Sequence, residues 1–371
     1  MRLYDTARQE VVPFDAGPLV KLYTCGITPY DSAHIGHAAV YLFYDVLQRR
    51  LRDLGHRTQC VRNITDIDDP LFAKARELGV FYLDLAAEEI ARFDDCMNAL
   101  GLLPAFSEPR ATSAIPDILG FIGMVLEAGY AYQAGGSVYF SVAGFERFGQ
   151  VSHMARHEML ALAKERGGNV EDPNKRDPLD FVLWQPSAPD EPAWESLWGP
   201  GRPGWHIECS ALALRELGTT IDIHGGGTDL IFPHHECEAA QSEAATGARP
   251  FVRHWVHVGM VRLGGEKMSK SLGNLVFVGD LLKEWEPAAV RLAILGQHYR
   301  SSWDWTDDLM PDAAERLERW RAAGAGGAGL DAARAALDDD LDTPRAVALV
   351  DHEAAAGRGV ADAAALLGVA L

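Results

Sequence analysis

The sequence lacks the features of a membrane or secreted protein. No apolar run approaches the roughly 18 consecutive residues that a membrane-spanning helix needs, and the N-terminus, MRLYDTARQE, has no apolar core of a signal peptide. The five cysteines are odd in number and widely scattered, which argues against the disulfide framework of a small secreted domain. We therefore expect a cytoplasmic protein that does not contact a membrane.

Positive charge is scarce, above all towards the C-terminus. The formal net charge is -19, and no lysine follows Lys283. From residue 286 onward, 8 arginines stand against 15 aspartates and glutamates. Such a segment is a poor surface for a phosphate backbone, so the composition disfavours a protein that holds nucleic acid by bulk electrostatic attraction.

The order of apolar segments predicts an α/β fold. A short strand after residue 20, an amphipathic helix and a second strand at 58–64 form the start of a βαβ unit. Between about 145 and 203, proline, glycine, tryptophan and charge predominate and predict a loop-rich insertion. A strand at 220–224 that ends at the glycines 225–227, and a helix at 232–246, then resume the α/β pattern. Alanine, leucine and arginine at helical spacing predict helices from residue 288 to the end.

Four segments follow from this pattern. We predict the first half of a catalytic domain at 1–112, an inserted segment at 113–203, the second half of the catalytic domain at 204–285 and a helical domain at 286–371. We also expect a monomer.

Residues 21–39 combine a strand, a tight turn and the start of a helix, which is the layout of a nucleotide site. His34 and His37 flank Gly36 where free N–H groups and the helix dipole favour phosphate. Gly36 removes a side chain where a nucleotide must lie close to the backbone, and the imidazoles can donate hydrogen bonds to phosphate oxygens. Taken alone, two histidines on an ordinary helix start would give the same pattern.

A lysine-rich loop lies far downstream. Lys267 and Lys270 belong to the sequence KMSKS, which follows two glycines. A loop of this kind can close over a triphosphate and neutralise it, although a lysine pair on a loop is most often solvated charge. Together with the sequence HIGH at 34–37, it resembles the signature of class I aminoacyl-tRNA synthetases and their relatives.

The resemblance implies a fold and a reaction. Class I enzymes have a Rossmann-like catalytic domain with a parallel sheet, here expected to carry an inserted segment and a helical C-terminal domain. They join an amino-acid carboxylate to the α-phosphate of ATP and release pyrophosphate. The resemblance therefore implies ATP as a substrate, accompanied by Mg²⁺.

Further motifs narrow the resemblance to the cysteine-specific branch of this class. They are CGIT at 25–28, GWHIECSA at 204–211, IDIHGGGTDLIFPHHE at 221–236 and GEKMSKS at 265–271. In that branch the positions of Cys25, Cys209, His234 and Glu238 hold a Zn²⁺ ion that takes the thiolate of L-cysteine. Spacing alone leaves buried packing cysteines and a surface histidine as the alternative, because the four residues come from three separate segments. A thiophilic metal separates cysteine from serine better than a pocket that recognises shape.

The resemblance also implies substrate contacts. Trp205, His224 and Asp229 would line the cysteine pocket, with Asp229 at the substrate ammonium, and Thr65 would touch the aminoacyl group. The transition state from which pyrophosphate leaves would be stabilised by His34, His37, Lys267 and Lys270. Adenosine would lie against bare backbone at Gly225, Gly226 and Gly227. The remaining contacts to substrate or nucleotide would come from Gly26, Ile27, Thr28, Gly36, Asn63, Thr228, Val261 and Ser269.

Two members of the branch differ in their acceptor. One transfers cysteine to tRNA, and the other, a ligase of mycothiol biosynthesis, transfers it to the amine of glucosaminyl-inositol. Pro29, Pro70 and the segments 165–170 and 297–307 are similar to the ligase, and since the chain stops at Leu371 we expect no anticodon-binding domain. Residues 241–247 and Glu238 are closer to the synthetase, since the ligase usually lacks a carboxylate at the position of Glu238 and has three protein ligands, and Val40 stands where the ligase commonly has threonine.

We predict an AMP-forming cysteine ligase that uses the amino-sugar acceptor. Transfer of cysteine to tRNA is the alternative and is disfavoured by the acidic C-terminal segment. A third hypothesis is an inactive paralogue that serves as a binding module. This hypothesis predicts that residues of HIGH, of KMSKS or of the implied metal ligands have been replaced, and the sequence shows no such replacement.

Overall fold

The structure, a computed structural model, describes residues 1–268 and 273–371. Its strands are β1 (Arg2–Asp5), β2 (Glu10–Pro13), β3 (Leu19–Ile27), β4 (Arg57–Ile64), β5 (Ala131–Ala134), β6 (Ser137–Phe140), β7 (Phe181–Gln185), β8 (Arg202–Pro203), β9 (Ile221–Gly227), β10 (Val252–Val258), β11 (Val261–Leu263), β12 (Glu266–Lys267) and β13 (Trp303–Trp305). Its α-helices are α1 (Ile35–Asp53), α2 (Asp69–Leu78), α3 (Tyr82–Ala99), α4 (Ile115–Glu127), α5 (Arg156–Glu165), α6 (Trp205–Leu217), α7 (Glu236–Thr246), α8 (Val278–Glu284), α9 (Pro287–Leu295), α10 (Leu309–Ala323), α11 (Leu330–Asp338), α12 (Thr343–Ala355) and α13 (Ala361–Leu366). Short turns of 3₁₀ helix lie at Ala111–Ala114, Val142–Gly144 and Thr228–Leu230, and a π-helical turn at Ile231–His235.

A parallel sheet in the order β10-β9-β3-β4 forms the centre of the molecule. Along β3, Leu22 packs on the side of α1 and its neighbour Tyr23 on the side of α6, so both faces of the strand are buried. This is the environment that produces a continuous apolar strand rather than an alternating one. The four carboxyl ends lie at the same edge, where open α/β sheets bind their ligands. The predicted α/β fold with a parallel sheet is confirmed.

The C-terminal helices share their core with α1. Arg291 of α9 is fully buried and forms an ion pair with Asp45 of α1. It also donates hydrogen bonds to the carbonyl oxygens of Leu367 at 2.7 Å and Leu100 at 3.2 Å. The expected helices are present, although the prediction missed β13, which pairs in parallel with β11.

The region between the two halves of the parallel sheet has its own structure. Helix α4 packs against α6 and α7, and β5, β6, β7 and β8 form an antiparallel sheet in that order. The expectation of loops between 145 and 203 missed α5 and β7, because prolines and glycines surround these short elements. The domain boundaries themselves stay a prediction.

None of the helices in residues 1–268 and 273–371 combines the length and the apolar character that a membrane crossing requires.

Candidate active site and metal cluster

A cluster of thiols, imidazoles and one carboxylate lies at the carboxyl end of the parallel sheet. Cys25 stands near the end of β3, Cys209 in the second turn of α6, His234 in the π-helical turn and Glu238 in the first turn of α7. Their ligand atoms all lie within 4.8 Å of one another, and all four residues are buried. The structure thus brings together the four residues that the resemblance selected.

The polar atoms of the cluster face a common space. Cys25 Sγ lies 4.0 Å from Cys209 Sγ and 3.6 Å from Glu238 Oε1. His234 Nε2 lies 3.0 Å from Glu238 Oε1, yet among the described residues it has no partner aligned for a hydrogen bond. A buried nitrogen left in this way destabilises a fold, and a bound metal would give it a partner. Two thiolates, an imidazole and a carboxylate fit a divalent metal of zinc type.

His235 also belongs to this cluster and was missed by the sequence analysis. Its Nε2 lies 3.3 Å from Cys25 Sγ, and its Nδ1 lies 2.7 Å from His257 Nε2. Together with Cys25, His224 and Glu238 it makes a second group with metal-binding spacing. The structure therefore offers two overlapping donor sets that share one thiol and one carboxylate.

The reason for missing His235 is a local departure from helix geometry. The sequence predicted one helix from Phe232 to Thr246, in which the i, i+4 spacing turns His234 and Glu238 to one side. In the structure, Phe232 has non-helical φ and ψ and a π-helical turn precedes α7. The pair of adjacent histidines before Glu236 was the available signal.

His224 holds the second oxygen of Glu238. Its Nδ1 lies 2.9 Å from the Tyr23 carbonyl oxygen, which can only accept, so Nδ1 carries a proton and donates it. Its Nε2 lies 3.0 Å from Glu238 Oε2, which leaves Oε1 towards the thiols. His224, which the resemblance places in the cysteine pocket, is fully buried and contacts the far side of Glu238. Such outer contacts orient a metal ligand.

The electrostatics of the cluster favour a cation. Burial raises the pKa of the Cys25 thiol well above its ordinary range, whereas the hydrogen bond from Cys25 lowers the pKa of Cys209 to about 6. Burial opposes the charge on Glu238, but His224 and His234 outweigh it and lower the pKa of Glu238 to about 2. Burial also opposes the charge on His234, but Glu238 and Cys209 raise its pKa to about 10. The lowered pKa values of Cys209 and Glu238 favour their anionic forms, in which thiols and carboxylates bind metals.

The HIGH motif forms the start of α1. His34 is the N-cap, and its Nδ1 accepts a hydrogen bond from the Gly36 amide at 3.1 Å. The rings of His34 and His37 stack with 3.8 Å between their centroids. A Cβ on residue 36 would lie 2.9 Å from His34 Cε1, so the glycine accommodates the capping ring.

The segment that follows the lysine-rich loop lies against this helix start. His34 forms a β-bridge with Phe277, and the Ile35 amide donates to the Val276 carbonyl oxygen at 2.9 Å. The segment at 276–277 and the start of α1 are more than 200 residues apart in the sequence, yet they are in contact in the structure. The side chain of Lys267, together with Ser269 and Lys270, lies outside the described part of the chain.

Several residues that were predicted as substrate contacts hold β3 and β4 together. Asn63 Oδ1 accepts from the Gly26 amide at 2.9 Å, and Asn63 Nδ2 donates to Thr65 Oγ1 at 3.1 Å. The Thr65 amide donates to the Ile27 carbonyl oxygen at 2.9 Å. A Cβ on residue 26 would lie 1.4 Å from the Asn63 carbonyl oxygen, so strand packing alone requires the glycine.

The glycines 225–227 are strand residues. The sequence predicted that they end the strand after His224, which is wrong, since β9 continues to Gly227 and pairs in parallel with β10. A Cβ on Gly225 would lie 1.8 Å from the Val256 carbonyl oxygen, and one on Gly226 would lie 2.7 Å from Leu230 Cδ1. Thr228 then opens a 3₁₀ turn.

An open cleft of about 770 Å³ adjoins the cluster. Trp205 and Asp229 line it, and the Trp205 ring stacks on His234 with 4.1 Å between centroids. Another predicted contact, Val261, is a buried residue of β11 opposite Trp303.

Known structures share this fold. The Mycobacterium tuberculosis methionyl-tRNA synthetase in complex with methionyl-adenylate superposes with a TM-score of 0.69 at 16% identity, over 90% of this chain and 82% of that chain. A putative arginyl-tRNA synthetase from Campylobacter jejuni gives a TM-score of 0.57 at 13% identity, over 94% of this chain and 89% of that chain. The architecture is that of class I synthetases.

The family within this class follows from the sequence match. Residues 12–315 match the family model described as the tRNA synthetases class I (C) catalytic domain. The chain belongs to this cysteine-type family of class I synthetases.

Curated relatives match almost the whole chain. A protein from Thermobispora bispora named L-cysteine:1D-myo-inositol 2-amino-2-deoxy-alpha-D-glucopyranoside ligase is 49% identical over all of this chain and 96% of its own length. A protein of the same name from Gordonia bronchialis is 51% identical over 95% of this chain and 88% of its own length.

Proposed function

We propose that this protein activates L-cysteine with ATP to cysteinyl-AMP and transfers the cysteine to the amine of glucosaminyl-inositol in mycothiol biosynthesis. This acceptor is 1D-myo-inosityl 2-amino-2-deoxy-alpha-D-glucopyranoside. One observation carries the proposal: a buried cluster rich in thiol groups lies at the carboxyl end of a class I synthetase sheet, in a chain 49% identical to a ligase of that name.

The ligands that we propose for zinc are Cys25, Cys209, His234 and Glu238. The bound ion would supply a Lewis acid that prefers the thiolate of cysteine to the hydroxyl of serine. The protein already favours the thiolate form of Cys209, because the hydrogen bond from Cys25 lowers the pKa of Cys209 to about 6. His224 holds Glu238 in place through its second oxygen. Trp205, stacked on His234, forms a wall beside the thiol position.

The first half-reaction would take place between the cluster and the start of α1. Asp229 would hold the ammonium of cysteine, and ATP with its Mg²⁺ would lie across the helix start. The cysteine carboxylate then attacks the α-phosphorus, a C–O–P linkage forms and pyrophosphate leaves with the electron pair. His34 and His37, with Lys267 and Lys270, would stabilise the charge that develops. Such catalysis needs positioning and electrostatic stabilisation rather than a protein nucleophile.

The second half-reaction joins cysteine to the acceptor. The amine attacks the carbonyl carbon of cysteinyl-AMP, a C–N bond forms and AMP leaves. We favour the amino sugar over tRNA because the segment from residue 286 carries 8 arginines against 15 acidic residues. We further propose that the protein acts as a monomer.

AMP release tests the acceptor. The enzyme with ATP and L-cysteine is offered glucosaminyl-inositol in one reaction and cysteine tRNA in another. We expect release that depends on the amino sugar and no stimulation by tRNA. Release with tRNA alone would identify a tRNA synthetase and contradict the proposal.

A further inference from the structure

One wall of the cleft is lined by polar side chains, and the proposed reaction of cysteine with ATP assigns them no role. Its lining includes Asp68 at the start of α2, with Arg166, Asn169 and Lys175 from the region between the two halves of the parallel sheet. A volume of about 770 Å³ is large enough for a second organic substrate beside the aminoacyl group. Side chains that donate and accept hydrogen bonds suit a hydroxyl-rich molecule with an amine.

Asp68 is fixed at the junction between this cleft and the end of β3. It is the N-cap of α2, and its Oδ1 accepts from the Asp69 amide at 2.9 Å. Its Oδ2 accepts from the Thr28 hydroxyl at 3.1 Å. Thr28 directly follows β3, the strand that carries Cys25. Two hydrogen bonds therefore orient the carboxylate beside the end of the strand that carries Cys25.

Asp68 differs from the neighbouring acids in its partners. Asp69 forms an ion pair with Arg202, and Arg202 Nε also contacts Glu191 Oε2 at 2.9 Å. Within residues 1–268 and 273–371, no lysine, arginine or histidine nitrogen forms an ion pair with Asp68. A carboxylate that lines a cleft without a cation of its own is suited to receive one from a substrate.

The surroundings of Asp68 also favour proton uptake near neutral pH. Burial raises the pKa of Asp68 to about 6, the Thr28 hydroxyl and Arg202 act in the opposite direction, and Asp69 adds to the rise. The other titratable groups that sense its charge are Tyr30 and Glu208. A general base works best when its pKa lies near the working pH.

We propose that Asp68 receives the amine of the acceptor and takes its proton during transfer of cysteine. This role rests on the proposed function, because it deepens the second half-reaction. The acceptor arrives as an ammonium, which loses one proton before its nitrogen can attack. The C–N bond then forms, the carbonyl C–O bond to AMP breaks with its electron pair on AMP, and the nitrogen gives up a second proton. Asp68 accepts the first proton, from the ammonium, and returns it to water in the open cleft, and the second proton passes from the nitrogen directly to that water.

We assign a different carboxylate to each of the two amines that take part in the reaction. Cysteine and the acceptor each bring an amine, and only the acceptor's amine must become a nucleophile. Asp229 is the carboxylate that we assign to the amine of cysteine, and Asp68 is a second carboxylate on the same cleft.

The test compares the two half-reactions in the variant Asp68→Asn. Asparagine is as good an N-cap as aspartate, so α2 keeps its start while the base is lost. We expect cysteine-dependent pyrophosphate exchange within about twofold of the wild type and transfer to glucosaminyl-inositol lower by about 100-fold or more. The matched control is Asp342→Asn, since Asp342 caps α12 by accepting from the Arg345 amide at 3.0 Å. It should leave both rates unchanged.

A second acceptor separates proton transfer from a structural effect. Hydroxylamine is a small nucleophile that is largely unprotonated at neutral pH, so it does not need a protein base. Asp68→Asn should form cysteine hydroxamate at a rate within about twofold of the wild type. The pH profile of amino-sugar transfer in the wild type should lose rate as pH falls through about 6, and the variant should lack this limb.

Three results would overturn the role of Asp68. They are normal transfer to the amino sugar by Asp68→Asn, an equal loss of pyrophosphate exchange and transfer, and an equal loss with the amino sugar and hydroxylamine. Failure of the proposed function is a separate result: a wild type that exchanges pyrophosphate but releases no AMP with the amino sugar. That outcome would show that the amino sugar is not the acceptor, and the proposed role of Asp68 would fail with it.

Discussion

At the residue scale, the two thiols of the cluster come from distant parts of the sequence and meet because β3 and α6 lie side by side. Cys25 and Cys209 are 184 positions apart, and their sulfur atoms lie 4.0 Å apart. Both are buried, and the pKa of Cys209 is lowered to about 6. A lowered pKa favours the thiolate, which is the form of cysteine that binds a metal.

Gly26 gives the first prediction. Replacement of Gly26 by alanine should destabilise the protein by about 3 kcal/mol, because the new Cβ would lie 1.4 Å from a backbone oxygen of β4. Urea unfolding of the variant and the wild type measures the difference. The control is Gly120→Ala in α4, where a Cβ meets nothing within 4 Å and should stabilise the helix by about 0.5–1 kcal/mol. Equal stability of the two variants would show that β3 and β4 can separate without loss.

The site residues show what could be predicted at this scale. Cys25, Cys209, His234 and Glu238 were assigned by resemblance to a family, and the structure brings them together. Sequence spacing alone could not predict that these four residues meet, because they lie in three separate segments. The order of the strands in the sheet, which brings the segments together, is set by the tertiary fold. His235 escaped prediction because a π-helical turn breaks the regular spacing.

At the element scale, α1 connects the candidate site with the C-terminal helices. Its first residues follow the capping His34, and its last residue, Asp53, accepts hydrogen bonds from Arg334 of α11 at 2.6 and 2.9 Å. The hydrogen bond from Arg334 lowers the pKa of Asp53, with Arg50 acting in the same direction.

The second prediction concerns the pH dependence of this contact. An unfolded aspartate has a pKa of about 3.9, and that of Asp53 is lower in the folded protein. The folded state therefore binds fewer protons, so the contribution of Asp53 is complete above about pH 5 and is lost as pH falls through the folded pKa. Urea unfolding at pH 7, 5 and 3.5 should show Asp53→Asn less stable by under about 1 kcal/mol at pH 7, with the gap closing at the lowest pH. A gap that widens in acid would contradict the assignment.

Element boundaries were hardest to predict where composition misled. The run of three glycines suggested the end of β9, yet these residues pair with Val256, His257 and Val258 of β10. At Gly225 only glycine leaves room for the backbone of the neighbouring strand. Strand β7 lies among prolines and tryptophans that suggested a loop, and its pairing with β6 is set by tertiary contacts. The strand–helix–strand unit at the N-terminus was predictable because its apolar runs and helix start are local signals.

At the scale of the whole molecule, the C-terminal helices and the parallel sheet share one core. The buried ion pair between Arg291 and Asp45 lies inside it, and Arg291 also satisfies the carbonyl oxygens of Leu100 and Leu367. The helical part therefore contributes to the stability of the domain that carries HIGH.

The third prediction tests this connection. Arg291→Ala should lower the free energy of unfolding by about 3–5 kcal/mol, because it leaves buried polar groups without their partner. The control is Arg321→Ala, which removes an ion pair with Glu286 near the surface and should change stability by less than about 1 kcal/mol. Calorimetry of both variants measures the difference, and similar melting temperatures for the two would show that the buried pair does not join the two regions.

The central claim is that Cys25, Cys209, His234 and Glu238 form a zinc site that holds the thiol of the substrate. Zinc K-edge X-ray absorption, with and without L-cysteine, tests it most directly. We predict two sulfur ligands in the protein alone, from the two cysteines of the cluster, at about 2.3 Å. A third sulfur should appear when cysteine is added and should not appear with serine. Zinc without sulfur ligands, or a spectrum that cysteine leaves unchanged, would contradict the account.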